Sequence, residues 1–329
     1  MTAAVLRVED LRAYFRTRYF GIKREVRAVD GVTFEIRADE IYGLAGESSS
    51  GKTTLVKAIA GLVKPPLQFV DGAARFAFLP GVRALATASP DVVRAVRWSK
   101  LAYIMQGSMN VLNPLRRIRR TFDDFARDHL GGSAAAFERI VISHLGKVRL
   151  DSSVLDAYPH ELSGGMRQRV AIALATICNP QFVIADEPTT ALDVIVQREV
   201  LGMIRQLQQE IGSSVLLVTH DLGVHAALTD RLGIMYAGRL VEEGPTAQLL
   251  LKPRHPYTRH LVATLPRIGT QERRSGLPGS PPNLADPATG CRFHPRCPIA
   301  MDVCRTVVPE LRRSGDDHRV ACHAEGGGP

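Results

Sequence analysis

Two glycines frame a short polar run and are followed by a lysine and two threonines: Gly46, Glu47, Ser48, Ser49, Ser50, Gly51, Lys52, Thr53 and Thr54. This order suits a bound polyphosphate. Glycines let the backbone curl around an anion, and the amides at the start of a following helix face it with the helix dipole behind them. Lys52 adds a full positive charge near the terminal phosphates, and the Thr53 hydroxyl is a Mg2+ ligand. Asp186 and Glu187 close the apolar run Phe182 to Ala185. An acid at the end of a buried strand holds Mg2+ through its water shell. The carboxylate one step further out polarises an attacking water as general base. His220 follows the apolar run SVLLVT and is expected to contact the terminal phosphate and sense its presence. Ser163 is a good helix N-cap, and Gly164 and Gly165 bare the backbone amides behind it, making a second anion-binding terminus. One nucleotide does not need two such termini. The second is therefore expected to cap a nucleotide held by another subunit.

These groups need elements to hold them. Ile41 to Ala45 is an apolar strand entering the glycine run, and Leu55, Val56, Ile59 and Leu62 have helical spacing after it. Strand, G-x-x-x-x-G-K-T and helix together make a P-loop in the context it requires. Residues 1–105 read as mainly β followed by the P-loop unit, and 106–160 as helix-biased. Strand–helix alternation over 161–250 predicts a parallel-sheet core and an α/β class. Residues 64–100 read as loop-rich with short strands, and Arg116–Arg120 as a solvated face, with contact to a partner chain as the alternative. From about residue 266 a Pro/Gly-rich linker leads into a tail.

The 329 residues allow one sizeable core and a small second domain. Apolar residues at 45% and charged residues at 23% are ordinary for a globular chain. No apolar run approaches the roughly 18–20 residues of a membrane span, and the N-terminus carries charges where a signal peptide would be apolar. A soluble cytosolic chain is expected, and in it disulfides are disfavoured. The net charge of +9 admits an anionic partner without choosing one.

Four of the five cysteines crowd into the tail as Cys291-x5-Cys297-x6-Cys304-x17-Cys322. Zinc knuckles pair cysteines across two to four residues. These wider gaps suit a 4Fe–4S cluster, in which each thiolate takes a different iron. Zn2+ is the alternative, with His294, His318 and His323 near enough in sequence to be ligands. Arg292, Arg296 and Arg305 would offset the site's negative charge. Cys178 is expected in a core. A tail this short is expected to gain its fold from the metal.

At this point the residues resemble an ATP-binding-cassette (ABC) ATPase. Leu162-Ser163-Gly164-Gly165 with Gln168 is similar to the family's signature motif, which acts on the nucleotide of the opposite subunit. Gln106 resembles the Q-loop glutamine, which ligates Mg2+ with Thr53 and Asp186. Asp193 resembles the D-loop aspartate and His220 the switch histidine. Catalytic roles then fall to Glu187, His220 and Gln106. The family implies an aromatic that stacks on adenine. Phe15 is favoured, with Tyr14 and Tyr19 as rivals. GESxSGKT, QGSMNVLNP, YPHELSGGMRQR and RHPYTRHLVATLP resemble the dipeptide/oligopeptide importers within this family. That implies a cassette over 1–265, with a parallel-sheet RecA-like core and a helical subdomain at about 106–160. The four-cysteine extension then spans 266–329. It also implies ATP and Mg2+, two membrane permease chains, a second and different ATPase chain and an extracytoplasmic solute-binding protein. The chain would sit peripherally on the cytoplasmic face of the membrane.

Two departures from the family pattern stand out. Ser49 takes the place of a glycine in the P-loop, which is tolerable only if its φ is not strongly positive. Asp39 also replaces a glycine. Two rival functions are an ABC-type ATPase acting on nucleic acid and a mainly structural partner subunit. One uninterrupted cassette without a heptad run argues against the first, and complete motifs argue against the second. Nucleic acid is not expected as a partner.

Overall fold

The computed structural model describes residues 3–107, 111–190, 192–265, 279–315 and 317–325. Its strands are β1 (Ala4–Tyr19), β2 (Ile22–Arg37), β3 (Ile41–Ala45), β4 (Leu67–Phe76), β5 (Leu101–Ile104) and β6 (Phe182–Asp186), followed by β7 (Ser214–Val218), β8 (Arg231–Tyr236), β9 (Arg239–Pro245), β10 (Arg312–Arg313) and β11 (Arg319–Val320). The helices are α1 (Lys52–Ile59), α2 (Pro90–Val96), α3 (Ile118–Leu130), α4 (Ala134–Lys147) and α5 (Gly164–Thr176), then α6 (Val194–Ile211), α7 (Leu222–Leu228), α8 (Thr246–Leu251), α9 (Pro256–Ala263) and α10 (Val303–Thr306). Contacts divide the chain into two compact units, residues 1–3, 37–40 and 89–217, and residues 4–36, 41–88 and 218–329.

In the first unit β7, β6 and β5 lie side by side. β5 and β6 run parallel, with Leu101 opposite Phe182 and Ile104 opposite Ala185. Every residue of β6 and β7 is buried, as the unbroken apolar runs demand of strands covered on both faces. α3 buries Ile118, Thr121, Phe122 and Ala126, a helical stripe. Arginines of α3 and the turn before it pair with acids: Arg116 with Asp124, Arg119 with Glu138 and Asp156, and Arg120 with Asp123. α6 starts on the carboxylate of Asp193, which accepts from Ile195 and Val196 N–H, and stops at Gly212 with φ 70°.

In the second unit β3 pairs parallel with β8, with Tyr42 opposite Arg231 and Ala45 opposite Ile234. The sheet runs β10-β11-β9-β8-β3 within this unit. A separate antiparallel sheet has the order β2-β1-β4, with Leu6 opposite Phe76 and Phe15 opposite Leu67. A buried cluster of Ala45, Ile234, Tyr236, Leu249, Tyr257 and Phe293 ties β3 to the rest.

The tail differs from the small metal-stapled appendage expected of it. Phe293 is 1% exposed and packs edge-on against Tyr236, with ring centroids 5.1 Å apart. β11 pairs with β9, placing Arg319 opposite Glu243. Glu243 is fully buried between Arg231 and Arg319, and fully buried Glu242 accepts from the Arg254 and His255 N–H groups and pairs with His318. The tail borrows a core and a sheet edge from the unit that carries the P-loop, so its short length is no obstacle to folding. Among the described residues no helix is long and apolar enough to cross a membrane.

Candidate functional site

β3 delivers the chain into the P-loop and α1 carries it away. Gly46 has φ 147°, and a Cβ there would lie 2.2 Å from the Met235 carbonyl oxygen. Gly51 has φ 103°, and its Cβ would lie 2.0 Å from the Ala28 carbonyl oxygen. Neither position can hold another residue without moving backbone. Lys52 is 8% exposed, and its Nζ donates to the carbonyls of Gly46 at 2.7 Å and Glu47 at 2.9 Å. The loop thus holds its cation in place by its own carbonyls, pre-aimed at an anion. Ser50 is buried; its Oγ accepts from Lys52 Nζ at 3.3 Å and its carbonyl accepts from Gly238 N–H at 2.8 Å. Thr53 is half-buried and Thr54 buried in the first turn of α1, while Ser48 and Ser49 are exposed.

Ser49 has φ 66°. The condition the sequence set for a serine here is not met, and the loop keeps its form at the cost of a left-handed serine. The other departure behaves alike, with Asp39 at φ 59°. Its turn is pinned by Asp39 N–H donating to Ser214 Oγ at 3.0 Å and by Gln208 Nε2 donating to the Asp39 carbonyl at 3.0 Å.

Of the aromatics on β1, Tyr14 is 7% exposed and donates its hydroxyl to Asp30 at 2.5 Å, so it belongs to the core. Burial and then the Asp30 hydrogen bond push its hydroxyl up to about 12. Phe15 is half-buried, and the side chain of Tyr19 lies outside the described residues. His220 is exposed just beyond β7. Its support was missed by sequence reasoning: His225 is fully buried, and its Nε2 faces the Thr219 carbonyl at 3.2 Å, one residue before His220.

In the first unit Asp186 ends β6 at 1% exposure and accepts from the Tyr103 hydroxyl at 3.0 Å. Tyr103 was also missed, although β5–β6 register places it opposite Ile184. Burial, reinforced by the Asp186 charge, holds the Tyr103 hydroxyl far above its ordinary range, so it remains a donor. Glu187 leaves the strand with φ 51°, half-buried, and Thr190 Oγ1 donates to its carboxylate at 3.2 Å. Gln106 lies exposed in the turn after β5. Ser163 caps α5, accepting from Met166 N–H at 3.2 Å, and is itself exposed. Gly164 and Gly165 follow in the first turn, and a Cβ on Gly165 would meet Val196 Cγ1 of α6 at 2.7 Å. Leu162 and Gln168, grouped by sequence with residues that act on another subunit, are instead 5% and 3% exposed. Gln168 Nε2 donates to the Pro188 carbonyl, so it ties the signature helix to the loop after Glu187.

Of the tail cysteines Cys304 is buried, Cys291, Cys297 and Cys322 are half-buried, and none is in a disulfide. Cys178 is half-buried, short of the core place expected of it. Burial pushes the Cys291 thiol up to about 11, with Cys304, Cys322 and Cys297 near enough to add to it. Backbone N–H groups two or three residues on serve three sulfurs: Phe293 for Cys291, Ile299 for Cys297, and Ala324 and Glu325 for Cys322. Among the described residues no group of three or more His, Cys, Asp or Glu is gathered to hold one metal ion. The histidines considered for zinc are engaged elsewhere: His294 with the Cys291 carbonyl, His318 with Glu242 and His323 with the Val307 carbonyl. Arg292 and Arg296 do not serve as counter-charges to thiolates. They pair with Asp30 and Glu47.

Residues 29–190 match the family model described as ABC transporter, and residues 241–304 match that described as oligopeptide/dipeptide transporter, C-terminal region. The dipeptide transport ATP-binding protein DppD of Bacillus subtilis is 38% identical over 97% of this chain and 94% of its own. DppD of Caldanaerobacter subterraneus is 35% identical over 97% of this chain and 96% of its own. A Brucella abortus protein named for peptide import and ATP binding is 39% identical with the same two shares. In fold, the chain resembles the dimeric ATP-binding cassette MJ0796 solved with ADP and phosphate, at TM-score 0.62 and 24% identity over 73% of this chain and 98% of that one. The chain belongs to the ABC transporter ATP-binding proteins that carry the oligopeptide/dipeptide transporter C-terminal region.

Proposed function

We propose that this chain hydrolyses ATP to power import of oligopeptides or a related small solute through a membrane ABC transporter. The observation that carries it is the P-loop: two glycines that admit no side chain, curled around a buried Lys52 held by loop carbonyls. Phosphates would replace those carbonyls as partners of the Lys52 ammonium. Glu187 acts as general base toward the attacking water, and His220 bears on the terminal phosphate. Thr53, Gln106 and Asp186 offer a hydroxyl, an amide carbonyl and a carboxylate oxygen, donors of the kind Mg2+ takes. Mg2+ would neutralise charge that develops on the phosphates. Phe15 stacks on adenine. Ser163, Gly164 and Gly165 serve the nucleotide of a second, homologous ATPase subunit, with Asp193 in the D-loop, so an isolated chain turns over slowly. The cassette spans 1–265, with a helical subdomain at about 106–160, and the extension 266–329. Two permease subunits hold the chain on the cytoplasmic face of the membrane, with a solute-binding protein outside.

Cys291, Cys297, Cys304 and Cys322 are the ligands of a 4Fe–4S cluster in this reading. Geometry supports it: Cys291 N–H donates to the Cys304 carbonyl at 2.8 Å, and Cys291 and Cys297 pack against the same buried cluster. A single tetrahedral ion needs all its thiolates about 2.3 Å from one point, and among the described residues no such group is gathered. A cubane spreads its ligands over four irons.

Gentle purification of the tagged chain tests the proposal. Co-purifying permeases and peptide-stimulated ATP hydrolysis are expected, and bound RNA or DNA without permeases would overturn it. Anaerobic material should be brown with about four irons per chain. Colourless protein holding one zinc would refute the cluster.

A further inference from the structure

We infer that Arg296, a residue of the cysteine-rich tail, completes the nucleotide site by neutralising Glu47 within the P-loop, so that phosphate affinity depends on the tail being seated. The P-loop binds a polyanion, yet its second residue here is a carboxylate. Left alone, that charge would oppose the phosphates through the same short distances at which Lys52 attracts them. Arg296 answers it with a two-pronged pair, NH1 to one Glu47 oxygen at 2.9 Å and NH2 to the other at 3.1 Å. The guanidinium side chain is 6% exposed and the carboxylate 27%, so salt and water screen the pair little. Arg296 NH1 also donates to the Tyr236 hydroxyl at 3.3 Å. From the other side, Glu47 N–H donates to the Tyr257 hydroxyl at 2.7 Å. Glu47 is thereby gripped at backbone and side chain, and its charge is turned from the cradle toward the tail.

A second arginine of the same short loop acts in parallel. Arg292 pairs with Asp30 and donates to the Ala237 carbonyl. Asp30 N–H donates to the Gly238 carbonyl at 2.9 Å, and Gly238 N–H donates to the Ser50 carbonyl in the P-loop at 2.8 Å. Phe293, between the two arginines in sequence, is anchored in the core. The loop from Cys291 to Cys297 therefore braces the P-loop at Glu47 and, through Gly238, at Ser50.

The inference rests on ATP being the P-loop ligand, and the test separates the two. Affinity for a fluorescent ATP analogue with Mg2+ is measured on the full chain. Arg296→Gln should weaken binding on the order of tenfold, equivalent to about 1.4 kcal/mol. Arg296→Lys, which keeps the charge and loses the fork, should recover part of it. Adding Glu47→Gln to Arg296→Gln should restore affinity to within about twofold, since no charge is then left uncompensated. Glu47→Gln alone should tighten binding several-fold and needs no intact pair, so it decides the matter even if Arg296→Gln folds poorly. Arg296→Gln binding like wild type, a double variant as weak as the single, or Glu47→Gln binding no tighter would each overturn the inference. A wild-type chain that binds no ATP would overturn the P-loop reading and this inference with it.

Discussion

Ser48 and Ser49 are adjacent, chemically identical and exposed, yet replacing each by glycine should change stability in opposite directions. Ser49 has φ 66°, and Ser48 is not among the residues of positive φ. A left-handed conformation costs an ordinary L-residue roughly 1–2 kcal/mol. A new glycine anywhere loosens the unfolded chain and costs about 0.4–1 kcal/mol. Ser48→Gly incurs only the second effect. Ser49→Gly incurs the same cost and removes the strain, for a net gain of up to about 1.6 kcal/mol. Subtracting the two cancels the unfolded-state contribution and leaves the strain itself, roughly 1–2 kcal/mol. Neither serine is buried, so no packing change confuses the difference. Calorimetry on the two variants side by side gives the answer: at about 2–4 °C per kcal/mol for a chain of 150–250 residues, and somewhat less here, Ser49→Gly should melt a few degrees above Ser48→Gly. Equal melting temperatures, or Ser48→Gly the higher, would refute the reasoning.

Other outcomes follow from the same geometry. Glu187→Gln should leave ATP binding nearly intact and slow turnover about 10²–10⁴-fold in the assembled complex; unchanged steady-state hydrolysis would remove Glu187 from the role of base. Glu243→Ala should destabilise the second unit by about 3 kcal/mol, the low end for a broken buried pair, because Arg231, at 6% side-chain exposure, loses its fully buried carboxylate partner and keeps the more exposed Asp317 at 3.6 Å; urea denaturation reads this, and a loss below about 1 kcal/mol would contradict the pairing. His144, His225 and His255 are each pushed down to about 4 by burial. The unfolded chain takes up these protons near pH 6.5 and the folded chain only near 4, so stability is full above about 6.5 and falls as pH drops toward 4. His225→Gln should flatten that decline, and an unchanged slope between pH 6.5 and 4 would count against a neutral buried imidazole.

Much of the site was legible because its chemistry is local in sequence. The P-loop, the acidic pair on β6 and the cap of α5 each need neighbours only a few residues away, and each lies at the element boundary its residue types imply. What escaped was long-range. Tyr103 meets Asp186 across 83 residues, and Arg296 meets Glu47 across 249. Arg292 and Arg296 were visible as charges beside cysteines, and nothing local distinguishes a counter-charge for thiolates from a brace for a distant loop. Ser49 failed a conformational test that only φ could supply. Gln168 shows the converse: a motif places it correctly on α5 without revealing that it points inward to Pro188.

The pairing of β11 with β9 has a bearing on biosynthesis. β9 is complete at Pro245, but its partner Arg319 lies about 75 residues later, roughly 4–15 s of translation at 5–20 residues per second. During that interval one edge of a largely buried strand stands open, the condition that invites pairing between nascent chains. Glu242 and Glu243 occupy this edge, opposite Val320 and Arg319 in the finished protein. While the tail is still on the ribosome Glu243 has Arg231 and Glu242 has the Arg254 and His255 N–H groups, but the partners that the tail supplies are missing, and a second copy of the same edge would bring like charge against like. In the finished protein His318 and Arg319 complete the pairing of those carboxylates. The same two side chains guard the strand against strangers first and bind its proper partner afterwards.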